Sequence, residues 1–289
     1  MNTWIGFSAL LACGALLGTT GLLSRNLARE LSSFQIVLLR DAIVLIPMLC
    51  LMIFVSDRPS NWQQLKRYFF PLLGLGLTHG LTTALFITAM IISPLNSAAF
   101  ALYFSSILLS MLISFLAFKE PLSPLHIFSL LLVFAGLFIF AYPFEAGLGL
   151  GFYLGVVAGI SLAISNVLRR GLTTPSKELM VMSQACGDIL VSFAFIVALN
   201  AWPSLHLTAF SYINLIIYAA IILASIYLLV IGFQNFSLDL GNVLLSTELL
   251  FATLIGYLVY QEQPSNFQLL GSACLFIAII LINMHRQRA

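Results

Sequence analysis

Five ionisable side chains stand inside stretches that are otherwise apolar: Arg40 and Asp41 in LLRDAIVLIP, His79 in GLTHGLTTAL, Asp188 in QACGDILVS and Glu248 in LLSTELLFA. An ionisable group in hydrocarbon costs at least a few kcal/mol, so each needs a partner or a wet cavity. Three kinds of chemistry suit such a set. A guanidinium is shaped to hold a carboxylate or a phosphate. A desolvated carboxylate takes up a proton in the working pH range unless a cation opposes it. Two mid-membrane acids with a histidine base would also serve a hydrolase, but 185-ACGD-188 departs from the GxGD pattern of membrane aspartyl proteases, and neither HExxH nor GxSxG occurs. GxxxxGK[ST] is absent too, so no phosphate-cradling loop is expected to drive the protein. Cys13, Cys50, Cys186 and Cys274 are isolated from one another, which implies neither a disulfide framework nor a metal site. No cofactor and no nucleic-acid partner is expected.

Polar residues at helical spacing extend the candidate site. His79 shares a face with Thr82 and Thr83, three and four residues on, and Gln184, Asp188 and Ser192 recur every four residues. Asn96, Phe100, Tyr103, Ser110 and Ser114 form an aromatic and hydroxyl face. Ser161, Ser165 and Asn166 form another, and Asn242 and Ser246 precede Glu248. Interhelical hydrogen bonding and a cavity wall explain these faces equally well. Adjacent residues point in different directions on a helix, so Arg40 is expected to leave Asp41 and pair across helices with Glu248 or Asp188. That pair is read either as a fixed buried ion pair or as a substrate contact that exchanges. Asp188, with no evident local cation, is the first candidate for a coupling proton, and Glu248 the second. Glu120 and Glu262 follow one apolar span and precede the next, where a carboxylate caps free amides, so they are read as structural.

The elements that position these groups follow from composition. Hydrophobic residues make up 61% of the 289-residue chain and charged residues 8%, against roughly 25% charged in soluble domains. Residues 1–24, 68–118, 121–144, 146–168, 189–238 and 263–285 contain no Asp, Glu, Lys or Arg, and about 20 helical residues cross a bilayer. Cutting at turn chemistry and charge predicts ten transmembrane helices: 3–23, 33–55, 69–91, 95–117, 124–142, 149–168, 179–200, 212–234, 239–260 and 266–284. His79, Asp188 and Glu248 then lie near the midplane, and Arg40 and Asp41 nearer the outer face. The first segment lacks a basic n-region and a cleavage site, so it is read as a retained helix. With the N-terminus inside, Arg58, Lys66, Arg67, Lys119, Arg169, Arg170, Lys177, Arg286 and Arg288 fall on the inner side, and only Arg25 and Arg29 on the outer. That asymmetry places both termini in the cytoplasm. Trp4, Trp62 and Trp202 fall at predicted span ends or in loops, at headgroup level.

The chain repeats itself. The phrase 115-FLAFKEPLSPLHIFS-129 returns as 257-YLVYQEQPSNFQLLG-271, with Glu120 and Glu262 aligned. Ten spans in two copies give five per half. An odd-numbered unit ends on the opposite side of the membrane, so the second copy must be inverted, with the substrate path at the repeat interface. The expected units are residues 1–143, residues 149–285 and a short basic tail at 286–289. Gly14 with Gly18, Gly76 with Gly80, and Gly151 with Gly155 and Gly159 make small-residue faces for close helix packing.

The phrases 248-ELLFATLIGYLVYQEQPSNFQLLGSACLFIAIIL-281 and 106-SILLSMLISFLAFKEPLSPLHIFSLLLVFAGLFI-139 resemble the paired signature of EamA-type members of the drug/metabolite transporter superfamily. The arginine of 38-LLRDAIVLIP-47 resembles a feature of that family's second helix. The family often writes Glu-Pro where this chain has Glu248-Leu249, and the first copy has Ser106 there. Residues 3–23 lack the carboxylate of the small multidrug relatives, so their proton mechanism does not carry over. The resemblance implies a secondary transporter of a small metabolite. One cation, two or three acids and 36 aromatic residues suit an amino acid or amino-acid derivative, with an adenine-bearing cofactor metabolite of S-adenosylmethionine type as the alternative. A bacterial inner membrane is the expected location, and a monomer the expected state, with a dimer left open. The expected substrate-binding set is Arg40, His79, Thr82, Thr83, Phe100, Tyr103, Ser165, Asn166, Gln184, Asp188, Asn242, Ser246 and Glu248.

Overall fold

The computed structural model describes residues 3–54, 58–93, 95–118, 124–142, 149–202, 207–261 and 263–286. Lys119, Glu120 and Glu262 lie outside the described residues, as does the side chain of Asn96. Among the described residues the chain is helical throughout its regular structure. The first half comprises α1 (Thr3–Leu17), α2 (Thr20–Leu27), α3 (Ser33–Phe54), α4 (Arg58–Arg67), α5 (Phe69–Ile92), α6 (Leu95–Ala117) and α7 (Pro124–Ala141). The second comprises α8 (Leu150–Gly171), α9 (Lys177–Ala198), α10 (Ala209–Asn235), α11 (Leu238–Leu245), α12 (Thr247–Tyr260) and α13 (Asn266–Arg286).

Eight stretches are long and apolar enough to cross a membrane, among them Thr3–Leu27 and Leu238–Val259, and Ile127–Ala141 and Asn266–Leu281 add two shorter apolar helices. The first predicted span is longer than expected and breaks between α1 and α2, and the ninth breaks at Ser246. At both breaks a hydroxyl joins a backbone amide on the carbonyl three residues before it. Thr19 Oγ1 donates to the Leu16 carbonyl at 2.7 Å and Ser246 Oγ to that of Val243 at 2.7 Å. Residues 58–67, expected as loop, form the short helix α4, where Lys66 Nζ lies 5.3 Å from the Trp62 ring centroid.

Helix pairing is symmetric between the halves. α5 packs on α8 as α10 packs on α1; α6 packs on α8 as α11 and α12 pack on α1; α5 packs on α9 as α10 packs on α3. α3 meets α9, and α7 meets α13. Glycine sets the closest approaches, because helices in lipid associate by backbone proximity rather than by a hydrophobic drive. A Cβ on Gly80 would lie 2.4 Å from the Gly187 carbonyl oxygen, and one on Gly159 2.2 Å from that of Leu102. Gly14 and Gly18 face Thr247 and Phe251, so the two helix breaks sit against each other. Large apolar side chains such as Phe70, Leu150, Ile46 and Leu258 are exposed on the outside. Polar and charged groups are buried instead, the inverse of a water-soluble globule.

Candidate functional site: an internal cavity over a buried polar network

A cavity of about 690 Å³ of atom-free space, its mouth included, lies between the halves. His79, Thr82, Thr83 and Phe86 of α5 form one wall, and Tyr218, Ser225 and Leu229 of α10 form the opposite one. Arg40 of α3, Tyr103 of α6 and Glu248 of α12 supply further polar lining. These lining segments come from the first half of α3, the later part of α5, the first half of α6 and the middle of α10. The cavity therefore lies toward the bundle end at which α5 ends and α10 begins.

Arg40 is 1% exposed and Asp188 is fully buried. Arg40 Nε donates to Asp41 Oδ2 at 3.0 Å, and Nη2 donates both to that oxygen and to Asp188 Oδ2, the latter at 3.1 Å. Two expectations are corrected here. Arg40 does satisfy Asp41: consecutive Cβ atoms diverge on a helix, but the long guanidinium arm folds back around the turn and reaches its neighbour. Asp188 does have a local cation, which removes the reason for ranking it first as a proton site. Of the two acids proposed across helices, Arg40 takes Asp188; Glu248 instead accepts the Tyr103 hydroxyl and makes no ion pair among the described residues. Arg40 also lies over the Tyr218 ring, 4.9 Å from its centroid, and Tyr218 is held by Ser24 at 2.9 Å.

Beneath this floor a hydrogen-bonded network runs toward the other end of the bundle. Its centre is Arg169, fully buried in the last turn of α8. The sequence reading counted it among the inner loop charges. Arg169 Nε donates to Gln184 Oε1 at 2.9 Å, Nη1 donates to Asn166 Oδ1, and Nη2 lies 3.1 Å from His79 Nδ1. A guanidinium only donates, so Nδ1 accepts and the imidazole proton sits on Nε2, which lies 3.8 Å from Asp188 Oδ2. Asn166 Nδ2 donates to Asn242 Oδ1 at 2.8 Å, which also accepts from Ser106 Oγ at 3.0 Å; Asn242 Nδ2 donates to Ser110 Oγ at 2.7 Å. Helices from both halves thus meet in one polar plug.

The predicted residues divide accordingly. Arg40, His79, Thr82, Thr83, Tyr103 and Glu248 line the cavity. Gln184, Asp188, Asn166 and Asn242 belong to the floor and plug. Phe100 does not line the cavity: it packs with Phe104 and Phe152 in the core. Ser165 Oγ is buried without a hydrogen-bond partner among the described residues, and Ser246 Oγ is taken up by the helix break. Thr83 Oγ1 donates to the His79 carbonyl at 3.0 Å. Tyr218 and Ser225 were missed, although their seven-residue spacing puts them on one face of α10. Arg169 was missed too, although it lies three residues beyond Asn166 and four beyond Ser165 on the face already identified as polar.

A bundle with an apolar exterior, buried charges and a cavity between two similarly paired halves is a multi-pass membrane protein. The model of the EamA-like transporter family matches residues 4–142 and again residues 149–284, so the chain belongs to that family, with two copies of its unit. No curated protein matches the chain. A crystal structure 17% identical in sequence is similar over 99% of this chain and 98% of its own, with a TM-score of 0.76. At that identity the likeness shows the fold alone.

Proposed function

We propose that the protein is a secondary transporter of an amino acid or amino-acid derivative, working by alternating access of two inverted five-helix repeats that together make ten membrane crossings. The observation that carries this reading is the cavity between the halves, lying toward one end of the bundle, with the hydrogen-bonded Arg169–Asn166–Asn242 network on its other side. With Arg169 withdrawn from the loop charges, the sequence still places eight Lys and Arg on one side against two on the other. Both termini then face the cytoplasm of a bacterial inner membrane, and the cavity faces outward. Glu248, without a cation partner, moves ahead of Asp188 as the candidate for a coupling proton.

An adenine-bearing cofactor metabolite is the second reading, favoured by Phe86, Tyr103 and Tyr218 on the cavity wall, which suit a planar ring. A thermal-shift screen of purified protein against a metabolite library, followed by counterflow of each hit in proteoliposomes, tests both. Saturable counterflow is expected. Its absence for every stabilising compound would remove the carrier reading. Flux indifferent to a pH gradient, and unchanged in Glu248→Gln and Asp188→Asn, would remove proton coupling alone.

A further inference from the structure

The cavity presents one charge that its surroundings leave unbalanced. Arg40 is held by two carboxylates, those of Asp41 and Asp188. His79 is neutral, because its Nδ1 accepts from Arg169. Arg169 itself donates to Gln184, Asn166 and His79, none of them acidic, and its charge offsets the second aspartate. Two arginines therefore answer two aspartates, and Glu248 is left over. It lies in the first turn of α12. Among the described residues its hydrogen-bond partner is the Tyr103 hydroxyl, and both side chains line the cavity.

We propose that the Glu248–Tyr103 corner recognises a cationic amino group on the cargo, and that Arg40 is not the anchor for the cargo's carboxylate. A third carboxylate on Arg40 would gather three negative charges around one guanidinium. Its Nη1 has no hydrogen-bond partner, and a neutral acceptor such as a carbonyl, hydroxyl or ring nitrogen suits that donor better. Ser225 Oγ, on the cavity-lining face of α10, is likewise buried without a hydrogen-bond partner among the described residues. An ammonium beside Glu248 meets a carboxylate with the Tyr103 ring next to it, a combination of ion pairing and cation–π contact that neither end of a purely anionic cargo exploits. The inference rests on the carrier reading and specifies which part of the cargo that carrier reads: the amine is required and the carboxylate is dispensable.

The test uses matched sets built on leucine, methionine and phenylalanine: the free amino acid, its amide, which lacks the carboxylate, and its N-acetyl form, which lacks the ammonium. Binding to the purified full chain is read by thermal shift, and transport by counterflow. Amides are expected to bind within about tenfold of the parent amino acids, and N-acetyl forms at least about tenfold more weakly. Glu248→Gln, checked for monodispersity by gel filtration, is expected to weaken the amides by at least about tenfold. N-acetyl forms binding as well as the parents while amides fail would overturn the inference and restore Arg40 as the carboxylate anchor, leaving the carrier reading intact. Failure of every amine in the panel would overturn it as well; counterflow of some other metabolite in the same proteoliposomes would then show that the carrier reading survives alone.

Discussion

Replacing Gly187 with alanine tests how the fold holds the site. Gly187 precedes Asp188 on α9, and a Cβ placed on it would lie 2.0 Å from the Gly76 carbonyl oxygen and 2.5 Å from the Gly76 Cα. These are backbone atoms of α5, so no side-chain rotation relieves the clash. Ordinary contact begins near 3.4 Å, so α5 and α9 must separate by roughly 1.4 Å, more than the gap of about 0.5–1 Å that already forfeits a quarter to a half of the dispersion contact. The two helices carry His79 and Asp188, whose Nε2–Oδ2 distance of 3.8 Å would widen with them. Overpacking of this kind costs about 1–3 kcal/mol, and backbone-on-backbone contact puts Gly187→Ala at the upper end. Thermal unfolding in detergent should show a clear loss of stability, and counterflow should fall. Gly171→Ala is the comparator: nothing lies within 4 Å of its added Cβ, and alanine is the better helix former by about 1 kcal/mol, so unchanged or raised stability is expected. If Gly187→Ala melts together with Gly171→Ala and transports at the native rate, the close approach of α5 and α9 does not hold the site.

Three further outcomes follow. Arg40→Met leaves two buried carboxylates facing each other and should cost about 3–5 kcal/mol; adding Asp188→Asn should recover part of that loss in thermal unfolding, whereas strictly additive losses would contradict the ion pair. Arg169→Met strips two donors from Gln184 and one from His79 across helices, and one from Asn166 within α8. At about 0.6 kcal/mol per interhelical hydrogen bond it should cost about 2 kcal/mol, and it should raise the reactivity of a cysteine placed at Ser110 toward a cytoplasmic thiol reagent; unchanged labelling would show that the plug does not close the path. Glu30, in the loop between α2 and α3, accepts from the Thr208 amide at 3.1 Å and its hydroxyl at 2.9 Å, and the Thr208 amide bond foremost holds its carboxylate below the usual range. A lowered folded-state value means that this tie contributes above the unfolded-state value and is lost as pH falls through the folded one, so the melting temperatures of native protein and Glu30→Gln should differ at neutral pH and converge in acid.

Much of the architecture was legible because each strong signal had one physical cause. Long uncharged runs can only be buried in lipid or protein, and two copies of one phrase can only mean two copies of one unit. The symmetric pairing of α5 on α8 with α10 on α1 is the three-dimensional form of that echo. Ionisable residues in apolar surroundings marked Arg40, His79, Asp188 and Glu248 for the same reason: desolvation forces such groups together, and all four meet at the cavity or its floor. Arg169 escaped because it adjoins Arg170 at a helix end, where adjacent cations ordinarily mark a solvated loop. One of the two turns inward with Asn166 and is fully buried; the doublet hides the helical spacing that would have shown this.

Partnership was not legible, and the reason lies in what a single helix encodes. Spacing shows which face of α9 is polar, but the face it meets is chosen by backbone fit. Gly76 and Gly80 announce a close approach without saying to what, and only the position of Gly187, one residue before Asp188, makes α9 the recipient and brings His79 to it. The same limit explains Arg40. Rules about helix faces locate Cβ atoms, whereas a guanidinium ends several bonds further out and can serve its neighbour and another helix at once. Once it does, the cation that the sequence offered to a cargo carboxylate is already engaged by two aspartates, whereas Glu248, which lines the same cavity, makes no ion pair among the described residues.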